Sequence, residues 1–162
     1  MTQFELSTAL VEALKGKGMK IASVESCTAG LLSKIITDAP GSSDVFDLGI
    51  TTYSNEMKTK MVGVPEEILA SHGAVSPETA RAMAEGIRRV SGADIGISTT
   101  GIAGPGGGSP EKPVGLVYTA IATADGTEVT RLMIDRPGAD RDYIRNTAAE
   151  TLLMNVLTML RQ

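Results

Sequence analysis

The sequence is poor in the residues from which several common kinds of functional site are built. Its 162 residues include one cysteine, one histidine and no tryptophan, and only 3% of them are aromatic. A single cysteine excludes an internal disulfide and fits a reducing compartment. One histidine with one cysteine does not supply an ordinary zinc site, and few aromatics argue against base-stacking platforms for nucleic acid. We therefore expect no metal centre and no cofactor.

Long apolar runs and an excess of positive charge are also missing. No stretch is long enough to span a bilayer, and the first residues lack the basic start and apolar run of a signal peptide. The formal net charge is -4, from 15 Lys and Arg against 19 Asp and Glu, whereas a general nucleic-acid surface would be basic. We expect a cytoplasmic protein without membrane or nucleic-acid partners, with one domain over residues 1–162.

The chain alternates helix and strand patterns and then forms a hairpin. Apolar residues at helical spacing predict helices over 1–14, 28–38, 56–61, 65–71, 77–90 and 141–160. Apolar and β-branched runs predict strands over 19–24, 45–54, 94–100, 114–123 and 127–135. The turn Ala124-Asp125-Gly126 joins the last two strands. This order predicts a three-layer α/β/α domain with a mixed sheet.

A serine follows the first predicted strand, and a tyrosine and a lysine come at the end of the second and just after it. Ser26 stands at a strand-to-helix junction, while Tyr53 and Lys58 lie in the segment 49–58. A serine hydroxyl becomes a good nucleophile when a base removes its proton, and a partly desolvated lysine is such a base. Three such side chains at the ends of neighbouring strands suggest a candidate catalytic group.

The residues after Ser26 suggest how the site would stabilise negative charge. N–H groups of Thr28, Ala29 and Gly30 at the start of the predicted helix would form an oxyanion hole. Two alternatives stay open. Ser26 or Thr28 is only a helix N-cap, or Cys27 is the nucleophile, although no histidine is placed to pair with it.

A glycine- and proline-rich loop is the second notable feature, at residues 101–113. Glycines let a backbone wrap an anion and point its N–H groups inward. The loop carries neither the Walker motif nor the dinucleotide fingerprint, and a mobile surface loop is the alternative interpretation. It follows a strand end, as Ser26 does, and ligands of open α/β sheets bind at such ends.

Six motifs, in the same order along nearly the whole chain, resemble the CinA C-terminal domain family of competence/damage-inducible proteins. Together they are highly specific. They are Glu25-Ser26-Cys27-Thr28, Pro40-Gly41-Ser42-Ser43, the segment 52–58, Gly73-Ala74-Val75-Ser76, the segment 100–107 and the segment 111–115.

The resemblance implies a reaction and a catalytic group. Some stand-alone members are nicotinamide-nucleotide amidohydrolases, which convert nicotinamide mononucleotide to nicotinate mononucleotide and ammonia. The resemblance assigns the nucleophile to Ser26 and the base to Lys58, with Tyr53 orienting or relaying the proton. Many members have Gly-Gly where this chain has Ala29-Gly30, and the extra methyl group is expected to crowd the helix N-terminus slightly.

The substrate contacts and assembly are further expectations. We expect a small-molecule nucleotide substrate and a homo-oligomer, dimer or larger. The alternative function is a non-catalytic module that binds a nucleotide or a partner protein. The residues expected to bind substrate, including its phosphate, are Thr28, Ala29, Gly30, Ser42, Ser43, Thr100, Gly101, Gly106, Gly107, Arg141 and Arg145.

Overall fold

Five strands and six helices make up the computed structural model, which describes residues Met1–Gln162. The strands are β1 (Ile21–Glu25), β2 (Phe46–Thr51), β3 (Ile95–Gly101), β4 (Leu116–Thr123) and β5 (Gly126–Met133). The helices are α1 (Gln3–Lys17), α2 (Leu31–Thr37), α3 (Asn55–Val62), α4 (Glu66–His72), α5 (Pro77–Ser91) and α6 (Arg141–Leu160), and a 3-10 turn covers Ser42–Asp44.

The sheet is mixed and has helices on both faces, which confirms the predicted fold class. Its strand order is β2-β1-β3-β4-β5. The strand β1 is parallel to both β2 and β3, whereas β3, β4 and β5 are joined as antiparallel pairs. Helices α1, α2 and α6 share one buried apolar cluster with the sheet, and α3 and α5 pack on the other face. No helix combines the length and apolar composition that a membrane crossing needs.

Helix ends follow the local sequence closely where a capping side chain is present. Ser76 accepts a hydrogen bond from the Thr79 N–H (3.2 Å) and Pro77 occupies the first helical position of α5, as an N-cap followed by proline predicts. Asp140 caps α6 in the same way by accepting from the Tyr143 N–H (2.8 Å). The predicted helix over 141–160 therefore agrees with α6.

The strand order indicates that a ligand binds at the carboxyl ends of the parallel strands, which are called the carboxyl edge of the sheet below; the opposite ends are called the amino edge. The chain leaves β1 toward β2 on one side, and β3 joins β1 on the other side. The connections diverge at the carboxyl end of β1, and a crevice opens at such a point. Ser26 follows β1 directly, Tyr53 follows β2, and the glycine-rich loop follows β3. The three parallel strands thus bring separate sequence motifs to one edge.

Candidate active site

Ser26 and Lys58 form a hydrogen-bonded pair at the carboxyl edge of the sheet. Lys58 Nζ lies 3.1 Å from Ser26 Oγ. Lys58 is in the second turn of α3, which begins after β2 with Ser54 as its N-cap. Because β1 and β2 are neighbours, a serine after one strand and a lysine shortly after the other meet across a distance of 32 residues in sequence.

Lys58 is the largest ionisable side chain in the protein interior. Only 1% of the residue is exposed, and no carboxylate lies within ion-pair distance of it. Its Nζ also donates to the carbonyl oxygens of Thr52 (2.8 Å) and Tyr53 (3.3 Å). Burial lowers the pKa of Lys58, and only Cys27 opposes this shift. The side chain is therefore suited to lose its proton more easily than a surface lysine.

Three oxygen atoms surround the Lys58 amine, one for each N–H bond of its ammonium form. Lys58 Nζ donates to the Thr52 and Tyr53 carbonyls and to Ser26 Oγ. When the ammonium loses one proton, the two carbonyls can still accept the two remaining N–H bonds. The lone pair is then free to accept from the Ser26 hydroxyl, as general-base activation requires.

Neither alternative to a Ser26 nucleophile gains support from the geometry. Helix α2 begins at Leu31 and its N-cap is Gly30, so neither Ser26 nor Thr28 caps it. Cys27 is buried, and burial raises the pKa of its thiol to about 12. The thiol therefore stays protonated at neutral pH, which is the unreactive form of a cysteine.

The residues predicted to supply oxyanion donors directly after Ser26 do not line the cavity beside it. The predicted helix start at Thr28 is wrong by three residues, because Ala29 and Gly30 adopt left-handed conformations with φ of 49° and 103°. The Ala29 N–H donates to the Ser26 carbonyl (3.2 Å), and Thr28, Ala29 and Gly30 do not line the cavity beside Ser26. The left-handed φ at Ala29 is a backbone conformation that glycine adopts more easily than alanine.

A half-open cavity of about 260 Å³ lies beside Ser26 and Lys58. The glycine loop, defined here as residues 102–108, forms one of its walls. The N–H groups of Ala103, Gly104, Gly106 and Gly107 find no acceptor within the protein. Unpaired backbone donors along a cavity wall are suited to bind an anion or an oxyanion. The cavity is lined by Ser26, Cys27, Tyr53, Lys58, Ala74, Val75, Thr100, Gly101, Ile102, Ala103, Gly104, Gly106, Gly107 and Arg141.

Tyr53 lines the cavity, but its hydroxyl is bonded away from the serine–lysine pair. The residue is 60% exposed, and its phenol oxygen accepts a hydrogen bond from Arg141 Nη2 (3.0 Å). Arg141 Nη1 donates to the Gly104 carbonyl (2.6 Å). The phenol makes no hydrogen bond to Ser26 or Lys58. In this arrangement Arg141 at the start of α6 holds the phenol at the cavity mouth, and a role for Tyr53 in orienting or relaying the proton stays a prediction.

Three other predicted substrate contacts lie outside the cavity. Ser42 and Ser43 form the turn before β2, whereas Ser26 follows the parallel strand β1. They are separated from the cavity by the length of a strand, roughly 16 Å, and do not line it, so substrate binding by these serines stays a prediction that this cavity does not support. Arg145 does not line the cavity, and its Nη2 donates to the Thr28 carbonyl (3.2 Å).

Several cavity residues were not predicted from the sequence as contacts. Ala74 and Val75 precede α5, and the Thr100 hydroxyl donates to the Ala74 carbonyl (2.7 Å). The motif Gly73-Ala74-Val75-Ser76 was the available signal, but apolar residues carry no sign of their function. No group of three or more His, Cys, Asp or Glu side chains is arranged so as to hold a metal ion.

Comparison with known proteins supports the family resemblance that the sequence motifs indicated. The family model described as the CinA C-terminal domain matches residues 3–160. The chain belongs to the CinA C-terminal domain family. A CinA-like protein of Desulfovibrio desulfuricans is 48% identical over 157 residues, which are 97% of this chain and 36% of that protein. A CinA-like protein of Anaeromyxobacter sp. (strain K) is 46% identical over 97% of this chain and 38% of its own length.

Solved structures of CinA proteins share the fold over their whole length. Competence/damage inducible protein CihA from Agrobacterium tumefaciens has a TM-score of 0.93 at 39% identity, covering 99% of this chain and 96% of that one. Competence damage-inducible protein A from Klebsiella pneumoniae has a TM-score of 0.94 at 31% identity, covering 100% and 99%. The chain spans little more than a third of the CinA-like relatives named above.

Proposed function

We propose that the protein is a metal-independent serine–lysine amidohydrolase that converts nicotinamide mononucleotide to nicotinate mononucleotide and ammonia. The observation that carries the catalytic part is the 3.1 Å contact between Ser26 Oγ and the Nζ of a buried, unpaired lysine. The substrate comes from the family resemblance described above. The unpaired N–H groups along the cavity wall and the nearby Arg141 guanidinium are compatible with an anionic substrate.

The reaction proceeds through an acyl-enzyme. Ser26 Oγ attacks the carboxamide carbon while its proton passes to Lys58 Nζ. The C–N bond then breaks, and Lys58 returns the proton to the leaving nitrogen, which departs as ammonia. Water attacks the resulting ester with Lys58 again accepting a proton, and Ser26 leaves with that proton. The carboxylic acid is released, and the atoms balance as one amide and one water giving one acid and one ammonia.

Negative charge that develops on the carboxamide oxygen needs donors on the cavity wall. The unpaired N–H groups of Ala103 and Gly104 are the best placed of the described donors, because both residues are buried and line the cavity. Such fixed donors stabilise a tetrahedral intermediate without reorganising. They replace the N–H groups of residues 28–30 in the proposed site.

The substrate phosphate is assigned to the outer part of the cavity. Gly106 and Gly107 are exposed, and Arg141 is bonded only to the neutral oxygens of Gly104 and Tyr53. A guanidinium without a carboxylate partner is available to form charge-assisted bonds with a phosphate. This assignment places the carboxamide at Ser26 and the phosphate near Arg141.

The test is ammonia release from nicotinamide mononucleotide by the purified protein, with Ser26→Ala as the matched control. We expect release by the wild type only, formation of nicotinate mononucleotide in equal amount, and poor turnover of the phosphate-free nucleoside. Exhaustive chelation should leave turnover unchanged. A wild-type protein that binds the nucleotide without releasing ammonia would instead support a non-catalytic binding module.

A further inference from the structure

Glu25 is a fully buried carboxylate directly before Ser26. It ends the central strand β1, is 0% exposed, and has no Lys, Arg or His within ion-pair distance. Its Oε1 accepts hydrogen bonds from Thr28 Oγ1 (2.7 Å) and the Leu32 N–H (2.9 Å), and its Oε2 accepts from the Ser33 N–H (3.4 Å). The carboxylate thus receives the free N–H groups at the start of α2.

A buried carboxyl group is an unusual cap for the start of a helix. A serine or threonine hydroxyl caps a helix well and costs less to bury than a carboxyl group without a cation nearby. The usual capping position here is Gly30, which has no side chain to accept these bonds. The cap therefore comes from the strand before the turn, and it spans the turn that contains Ser26.

A chain of hydroxyl groups extends this cap to the neighbouring strand. Thr28 Oγ1 lies 2.6 Å from Thr99 Oγ1 on β3. Thr28 has one hydroxyl proton and donates it to Glu25, so the Thr99 hydroxyl donates to Thr28. The Ser26 N–H donates to the Thr99 carbonyl (3.0 Å). The serine backbone is therefore held by the same strand residue that anchors the hydroxyl chain.

We propose that Glu25, acting through Thr28, is a positioning residue that holds the Ser26 hydroxyl against Lys58. This inference rests on the proposed function, because it concerns the reactivity of Ser26. The Ser26–Gly30 turn contains two left-handed residues and no regular backbone ladder. Only isolated backbone hydrogen bonds fix this turn, such as those from Ser26 to Thr99 and from Ala29 to Ser26, and the Glu25 network adds side-chain contacts beneath the serine.

Glu25 acts on the serine and not on the base. None of the Lys58 hydrogen bonds involves Glu25, since its partners are Ser26, Thr52 and Tyr53. Removing the Glu25 network should therefore displace the nucleophile while the titration of Lys58 keeps its midpoint. A role in tuning the base would instead move that midpoint.

The experiment measures the rate at which a fluorophosphonate probe labels Ser26, followed by intact mass. In this reaction the serine oxygen bonds to phosphorus, fluoride leaves, and the serine proton passes to Lys58. Glu25→Gln keeps the side-chain shape but not the carboxylate. Thr28→Val removes the hydroxyl at constant shape, and Thr28→Ser keeps it. Thr2→Ala, which removes the N-cap of α1, is a control for the loss of a helix cap far from the site.

We expect Glu25→Gln and Thr28→Val to slow labelling by about one to two orders of magnitude, the scale of a misplaced reacting group. Thr28→Ser and Thr2→Ala should label at close to the wild-type rate. The double variant Glu25→Gln/Thr28→Val should be no slower than Glu25→Gln alone, because both changes break one network. The pH midpoint of labelling should be the same in all variants.

Three results would overturn the inference. In the first, folded Thr28→Val and Glu25→Gln have a lower Tm but are labelled at the wild-type rate. Glu25 would then act only as a structural cap of the helix. In the second, these variants shift the pH midpoint of labelling but leave the maximal labelling rate unchanged. Glu25 would then modify the electrostatics of Lys58. If the wild type itself is unlabelled and releases no ammonia, the proposed function fails and the inference fails with it. If Glu25→Gln does not fold, the comparison of the labelling rates of Thr28→Val and Thr28→Ser tests the inference.

Discussion

The two edges of the sheet treat their cationic side chains in opposite ways. At the amino edge, Lys15 pairs with Asp44 (2.8 Å) and Lys20 with Asp47 (2.6 Å), and all four side chains are substantially exposed. At the carboxyl edge, Lys58 and Arg141 contact only neutral oxygens, and Lys58 is buried. The same charge is thus neutralised at one edge and left without a counter-ion at the other.

This difference separates surface ion pairs from functional candidates. Exposed ion pairs contribute little, since water already solvates both charges. An unpaired lysine in the interior is costly unless it loses its proton, and a guanidinium bonded to neutral oxygens keeps its capacity to bind an anion. The cations at the carboxyl edge therefore remain able to exchange a proton or bind an anion, whereas those at the amino edge are already paired with carboxylates. Each variant below changes one of the two edges.

Removing the nucleophile should have the largest effect at the carboxyl edge. Ser26→Ala should lower amide hydrolysis by roughly three orders of magnitude or more, because no covalent route remains. Turnover of nicotinamide mononucleotide and the Tm are the measurements, and the Tm should change little. Cys27→Ala is the matched control and should keep most activity. An inactive Cys27→Ala with an active Ser26→Ala would reverse the assignment.

Replacing the unpaired lysine by a cation that does not deprotonate is the next test. Lys58→Arg should lower kcat by about two orders of magnitude or more, the usual scale of general-base loss. In the wild type, kcat/KM should rise with pH as Lys58 loses its proton. Because burial lowers the pKa of Lys58, the midpoint should fall below that of an ordinary lysine, about 10.4. Near-normal turnover of Lys58→Arg would exclude this mechanism.

Arg141 should matter for the anionic part of the substrate. Arg141→Ala should raise KM for the nucleotide by about 10- to 100-fold, the worth of charge-assisted hydrogen bonds. It should leave the poor turnover of the phosphate-free nucleoside almost unchanged. Arg136→Ala is the comparison variant, since the Arg136 guanidinium lies over the Tyr143 ring and does not line the cavity. An equal loss for nucleoside and nucleotide would remove Arg141 from the phosphate site.

The glycine loop offers a test with a matched neighbour. Gly107 has φ of 86°, whereas a Cβ added at Gly106 meets no atom within 4 Å. Gly107→Val should impair turnover by roughly tenfold, because a β-branched side chain strains a left-handed position. Gly106→Val should affect turnover only because its side chain occupies space in the cavity. It should discriminate less than the wild type between nucleotide and nucleoside. The kcat/KM and Tm of both variants should be measured. If both keep the wild-type kcat/KM, the glycine loop only connects β3 and β4 and does not contact the substrate.

The smallest effect is expected at the amino edge. Lys15→Ala removes an exposed ion pair and should leave turnover unchanged and the Tm nearly so. Its measurement beside Lys58→Arg completes the comparison between the two edges. A large kinetic effect of Lys15→Ala would mean that the amino edge contributes to the site, for instance in an assembly of several copies.

Local patterns predicted much of the fold because local physics decides it. The helix over 141–160 and the capped start of α5 follow from apolar spacing and capping side chains. The predicted strand 45–54 is longer than β2, because its partner β1 has only five residues and pairing ends with it. The late start of α2 was not predicted, since the left-handed turn depends on contacts with Glu25 and Thr99.

The sequence by itself determined the fold class, the family and the candidate chemistry of Ser26 and Lys58. These depend on residue identity, periodicity and motif order, which the chain carries locally. Only the tertiary structure decided that Tyr53 faces Arg141, that Ser42 and Ser43 lie at the opposite edge, and that Lys58 is buried without a counter-ion. Strand order and burial set those distances and the local dielectric, and both arise from contacts between residues far apart in sequence.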